Sequence, residues 1–110
     1  MVRLSLTLVA RRGGASSLAT ALRQSMTQAQ GERDCVRCQV SIDLMDPDIL
    51  HYVEEWATEF ALRDEIRSPR FHRLITIIEE ASARPVFNVQ LVSQSSGYDY
   101  VETVLRSACS

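Results

Sequence analysis

From Arg3 to Ala10 the chain alternates, with Leu4, Leu6, Leu8 and Ala10 on one side and Arg3, Ser5, Thr7 and Val9 on the other. A period of two is the mark of a strand with one face in a core. Gly13-Gly14 breaks the pattern. Ser16 or Ser17 can then cap a helix by accepting a bond from a free backbone N–H. Leu18, Ala21, Leu22, Ser25, Met26 and Ala29 fit one helical stripe. Gly31 ends that helix, as a left-handed C-terminal position would. Alternation returns from Cys35 to Leu44, with Val36, Cys38, Val40, Ile42 and Leu44 expected on one side. Asp46-Pro47-Asp48 is a turn, and a strand from Ile49 to Trp56 completes a hairpin.

Thr58 caps a second helical region, with Glu59 in its first turn, where the helix dipole favours an anion. Ser68-Pro69 interrupts it, because the residue before proline avoids the α region. Pro69 can open the next helix, whose stripe is Phe71, Leu74, Ile75 and Ile78. Arg84-Pro85 stops it. A last strand from Val86 to Val92 alternates Phe87, Val89 and Leu91 with Asn88 and Gln90. The segment 93–97 reads as loop, and Tyr98 to Arg106 as a short helix or an extra strand. The order β-α-β-β-α-β is the split-βαβ, ferredoxin-like α+β arrangement with a four-stranded antiparallel sheet. The domain is expected over residues 1–92, with 93–110 as an extension that could strap a partner. The outer sheet face, carrying Arg3, Ser5, Thr7, Arg37, Gln39, Ser41, Asn88 and Gln90, is semi-polar and invites a second copy.

Composition narrows the picture. The 110 residues carry a net charge of −2 and are 45% hydrophobic. That suits one globular domain, not a disordered chain. A near-neutral balance lacks the basic patch that a nucleic-acid grip needs. No apolar run is long enough to span a bilayer, and Arg11-Arg12 stands where a leader's cleavage site would be. A cytoplasmic protein is the expectation. Cys35 and Cys38 spell a CxxC, but on a regular strand they would point to opposite faces. No second pair stands at zinc spacing, so both are read as structural, with Cys109 an exposed thiol in the tail. All twelve basic residues are Arg, so each positive charge is fixed at any working pH.

Tyr52-Val53-Glu54-Glu55-Trp56-Ala57-Thr58, then Ala61-Leu62, then Ser68-Pro69-Arg70-Phe71 resembles the antibiotic biosynthesis monooxygenase family. That family shows a Tyr-x-Glu-x-Trp strand end, an Ala-Leu pair and a Ser-x-His-Phe segment. The resemblance covers about residues 3 to 92. It implies a dimeric α+β barrel, a homodimer, with a cavity between sheet and helices in each subunit. It further implies oxidation of a small quinol- or phenol-type aromatic by molecular oxygen without a cofactor. The alternative is a non-catalytic homodimer of the same fold that binds a small hydrophobic molecule or serves as a scaffold. Some relatives bind heme, which needs a His on the helix after the Ala-Leu pair and an Asn on the first strand. Glu65 and Arg70 stand where relatives often carry His, and the first strand has no Asn, so heme is not expected.

The candidate catalytic residues are Trp56, Tyr52, His72 and Arg70. Trp56 would stack on a flat substrate, or simply fill core. Tyr52 shares its strand face and would orient a substrate hydroxyl, or be a core phenol with its hydroxyl bonded. Glu54, between them, would be a base with a raised pKa on an apolar wall, or the partner of an Arg. Of the two histidines, His72 beside Phe71 is the better general-base candidate than His51, against a surface role. Arg70 would stabilise developing negative charge, or join Arg63, Arg67 and Arg73 on a solvated face. Glu54, Phe71, Leu22 and Met26 are expected to line the substrate cavity. The whole reading depends on Trp56 and Tyr52 projecting into a dry pouch.

Overall fold

The computed structural model describes residues 1–83, 85–92 and 97–108. In chain order the elements are β1 (Val2–Val9), α1 (Ala15–Gln30), β2 (Cys35–Ile42), β3 (Ile49–Trp56), α2 (Glu59–Ile66), α3 (Pro69–Ala81), β4 (Val86–Leu91) and α4 (Tyr98–Ala108). The sheet order is β2-β3-β1-β4, and every neighbouring pair is antiparallel. This is the ferredoxin-like arrangement the alternation predicts. Arg84, the segment 93–96 and Cys109 lie outside the described residues.

The barrel implied by the resemblance is not formed. β2 and β4 are opposite edges of an open sheet, with β3 and β1 between them. A small closed barrel whose interior side chains can fill takes about eight strands. Four strands have neither the number nor the stagger to bring their own edges together.

Strict alternation on β1 delivers Val2, Leu4, Leu6 and Leu8 to the helix-covered face, where all four are buried. Leu18 and Leu22 of α1, Leu62 of α2, and Phe71, Leu74 and Ile78 of α3 close over them as one core. Each such side chain taken out of water contributes about 1.5–3 kcal/mol. Thr58 caps α2 by accepting from the Ala61 N–H, and Ser68 caps α3 by accepting from the Phe71 N–H.

Four local expectations are corrected. α1 starts one turn's edge earlier than the serines suggest: Gly14 is its N-cap, and no side chain caps it. Gly31 ends α1 in the right-handed region, at φ −78°; the left-handed glycine is Gly13, at φ +78°. Gly13→Ala is therefore expected to cost about 1–2 kcal/mol from the left-handed conformation alone. Nothing lies near the added methyl, so Gly13→Asn should recover much of the loss in urea melts.

The third correction concerns the CxxC. A bulge between Cys35 and Arg37 sets Cys35 opposite Trp56 and Cys38 opposite Glu54. One extra residue resets the alternation, so both thiols face the helices and Val36 is turned out to solvent. The fourth concerns β4, expected to be half-buried. All six of its residues are exposed. Phe87, Val89 and Leu91 pair with Leu6, Leu4 and Val2 and so share the core's side of the sheet, but they stand beyond the edge of the helical layer. α4 resolves the ambiguity of the tail as a helix, with Tyr98, Val101, Val104 and Leu105 exposed along it.

Candidate functional site

β3 sends Leu50, Tyr52, Glu54 and Trp56 to the helix-covered face in succession, and all four are buried. A carboxylate among such neighbours needs every lone pair occupied. Glu54 has that. Its Oε2 accepts from the Tyr52 hydroxyl at 2.5 Å and from Arg70 Nη1 at 3.0 Å. Its Oε1 accepts from Trp56 Nε1 at 3.0 Å and from Arg70 Nη2 at 3.3 Å. The guanidinium fork meets the carboxylate on both oxygens, the geometry that only Arg offers.

The network extends from α3 to α1 and α2. Arg70 Nη1 also donates to Ser25 Oγ at 2.6 Å. Ser25 Oγ lies 3.1 Å from the Tyr52 oxygen, and Cys38 Sγ donates to that oxygen at 3.3 Å. Tyr52 has one proton and gives it to Glu54, so Ser25 donates to Tyr52 while accepting from Arg70. On the outer side, Arg70 Nη2 and Nε reach Glu65 Oε2 at 3.1 and 3.3 Å.

The electrostatics follow from burial and charge. Burial pushes the Tyr52 phenol well above its ordinary range, and the Glu54 charge adds to the effect, so it remains a donor. Burial alone would pull Arg70 down, but its hydrogen bonds to Glu54 and the charge of Glu54 outweigh it and hold the guanidinium up. Burial pushes the Cys38 thiol up to about 12, against the lowering bond to Tyr52. Burial likewise raises Cys35. A thiol held up in this way keeps its proton and is the poorer nucleophile. Burial also raises Glu65, more than Arg70 lowers it. A carboxyl raised in the folded state contributes stability in full below its unfolded value. That contribution is lost as pH rises through the folded value.

Trp56, Tyr52, Glu54 and Arg70 thus come together, with Phe71 and Leu22 buried beside them and Met26 half-buried against the same core. The space expected as a dry pouch is occupied by the Glu54–Arg70 pair. His72 is exposed on α3, one residue on from Phe71. His51 is on the outer sheet face, with Nδ1 3.4 Å from Thr7 Oγ1 and Nε2 3.5 Å from Asp43. Of the four arginines read as one solvated face, Arg63, Arg67 and Arg73 are exposed and Arg70 is buried. The Ser68-Pro69 break starts a new helix axis, so spacing counted through it does not hold.

Open volume lies at the rim instead. A hollow of about 110 Å³ between α1 and α3 has Ser25 and Arg70 in its wall, with Leu74 and Ile77. It shares Gln28, Arg70 and Arg73 with a hollow of about 460 Å³ that also takes in Glu32, Glu65 and Ser68. A third, of about 100 Å³, reaches Trp56, Phe60 and Glu65. Sequence reasoning missed Ser25 and Glu65 as site residues. Ser25 was legible as the one polar residue in the α1 stripe. Among the described residues no group of three or more His, Cys, Asp or Glu side chains could hold a metal ion, and no helix is long and apolar enough to cross a membrane.

No protein-family model and no curated protein matches the chain. Solved structures do match in fold. A protein from Deinococcus radiodurans, provisionally named an antibiotic biosynthesis monooxygenase, superposes with a TM-score of 0.82 at 20% identity, over 88% of this chain and 97% of its own. A protein from Mycobacterium tuberculosis gives 0.79 at 18%, over 87% and 98%. One from Nitrosomonas europaea, provisionally named in the same way as the first, gives 0.78 at 12%, over 86% and 100%. At these identities the likeness is one of fold: this chain has the fold of structures given the antibiotic biosynthesis monooxygenase name.

Proposed function

We propose that this protein is a cofactor-independent monooxygenase-type oxidoreductase acting on a small quinol-, phenol- or anthrone-type aromatic. The observation that carries the reading is the Glu54–Arg70 cluster, with Tyr52, Trp56 and Ser25, abutting open hollows at the rim of α1 and α3. The provisional names of the Deinococcus and Nitrosomonas structures supply the reaction class. The substrate volume in this reading is the rim hollow of about 460 Å³ beside Glu65 and Arg70, a size within the range of about 300–1,000 Å³ for small-molecule sites. The interior is a rigid polar support. It fixes Arg70 in the hollow's wall, with its five N–H donors committed to Glu54, Glu65 and Ser25.

The reaction balances without a cofactor. In anthrone the ring CH₂ becomes C=O. One oxygen atom of O₂ enters the product and the other leaves as water with the two hydrogens. The substrate carbon supplies all the electrons.

The test is protein-dependent oxygen uptake with anthrone, above its autoxidation. Uptake with anthraquinone formation is expected, and uptake equal to the protein-free control would refute the reading. The filled interior favours one second reading, a non-catalytic binder of a small hydrophobic molecule, which predicts thermal stabilisation by anthrone without uptake.

We also propose that the chain works as a homodimer. Support comes from the apolar side chains it leaves in solvent: Phe87, Val89 and Leu91 on β4, and Tyr98, Val101 and Leu105 on α4. Apolar side chains left in solvent along a strand and a helix are the kind of surface an interface covers, and residues 97–108 would serve as the strap. Light scattering should report twice the 12.4 kDa chain mass; the mass of a single chain at micromolar concentration would contradict the dimer.

A further inference from the structure

We infer that Glu65 is the general base of this site, taking a proton from a weakly acidic aromatic bound in the rim hollow. This rests on the monooxygenase reading and deepens it. The two oxygens of its carboxylate are held differently. Oε2 is held by Arg70 Nη2 and Nε. Oε1 accepts no hydrogen bond from any described side chain, yet it is not among the sealed, unpartnered atoms. One oxygen is fixed and the other is free and reachable, which is the arrangement a positioned base requires.

Its place in the fold is equally specific. Glu65 lines both the hollow of about 460 Å³ and the one of about 100 Å³ that reaches Trp56. Its side chain is 12% exposed, so it is shielded without being shut in. The other carboxylate on Arg70, Glu54, has both oxygens filled by four donors and no room for a substrate proton. The work is thus divided: Glu54 anchors the guanidinium, and Glu65 uses the same guanidinium to hold one oxygen while the other faces the hollow.

The groups facing Glu65 set its working range. From α3 these are Arg70 and, on the hollow's wall, Arg73; from the segment after α1, Glu32, Arg33 and Asp34; from β2, Cys35; from β3, Glu54; and on its own helix, Asp64. Burial, joined by the charges of Glu32 and Glu54, raises the carboxyl of Glu65 above its ordinary value against the lowering by Arg70, and a raised carboxylate is the stronger base.

In the step itself a ring C–H bond of anthrone breaks. Its electron pair stays in the ring as the enolate, and the proton goes to Glu65 Oε1. The enolate is the species that reacts with O₂, and the carboxyl proton leaves with the water formed.

The experiment compares wild type, Glu65→Gln and Glu65→Asp in oxygen uptake with anthrone across pH. Gln keeps an acceptor for Arg70 but cannot take the proton. Glu65→Gln is expected to lower kcat by about 100-fold or more, the contribution of a general base, with KM little changed. Wild type should lose activity on the acid side as Glu65 protonates, and Glu65→Gln should lose that limb. Glu65→Asp should restore part of the rate. Wild-type kinetics in a folded Glu65→Gln, or a wild-type profile with no acid limb, would overturn the inference while leaving the oxygenase reading intact. The acid limb is read on wild type, so the test survives a variant that fails to fold. Absence of uptake in wild type would overturn both.

Discussion

Arg70→Met is expected to lower folding stability by about 3–5 kcal/mol, the cost of leaving one member of a buried ion pair without the other. The reason is Glu54. It is fully shut off from solvent, and Arg70 supplies two of its four donors and all of the adjacent positive charge. Ser25 loses a donor in the same substitution. Domains of this size have about 5–15 kcal/mol in total, so the variant should sit close to its unfolding threshold. Glu54→Gln in the Arg70→Met background removes the stranded charge while keeping an acceptor for Trp56 or Tyr52. It should recover more than half of the loss. Urea melts followed by circular dichroism read both variants. An Arg70→Met protein as stable as wild type would mean that Glu54 is solvated in a way the structure does not show.

Trp56→Ala should be nearly as damaging, at about 3–5 kcal/mol for truncation of a large core aromatic. Trp56 is 1% exposed, sits in the core cluster with Ala61 and Leu62, and donates its indole N–H to Glu54. Trp56→Phe separates the two contributions. It keeps most of the packing and loses the hydrogen bond, so it should cost roughly 1–2 kcal/mol. Equal losses in Ala and Phe would show that the bond, not the ring, carries the effect.

The sheet and helices were legible because their signals are local. β1 declares its register in eight alternating residues, and α3 begins where Ser68-Pro69 requires a break. That the sheet stays open, against the barrel implied by the resemblance, was not legible, because no pattern within a strand encodes whether β2 and β4 remain edges. The Val36 bulge was equally silent: one added residue in β2 moved Cys35 to the face of Cys38. β4 shows the same limit from another side. Its alternation is real, but burial depends on where the helical layer stops.

The site was half legible. The spacing of Tyr52, Glu54 and Trp56 puts them on one face of β3, and pairing of Glu54 with an Arg was foreseen as an alternative to a free base. That the partner is Arg70 could not be read from α3 alone. Arg70 precedes Phe71 on a helix whose stripe is otherwise apolar, and its burial comes from contacts with α1 and β3. Glu65 was noted only as a substitution for a relative's His. Its importance arises because α2 ends where α3 begins, which brings it within reach of Arg70.

The central claim is that a ligand sits at the rim, against Arg70 and Glu65, and not between sheet and helices. Amide chemical-shift mapping of the isotope-labelled protein titrated with 1-naphthol tests this directly. The account expects shifts concentrated at Gln28, Glu65, Ser68 and Arg73, with Leu50 and Tyr52 unmoved. Shifts centred on the buried faces of β1 and β3, or none at millimolar naphthol, would contradict it.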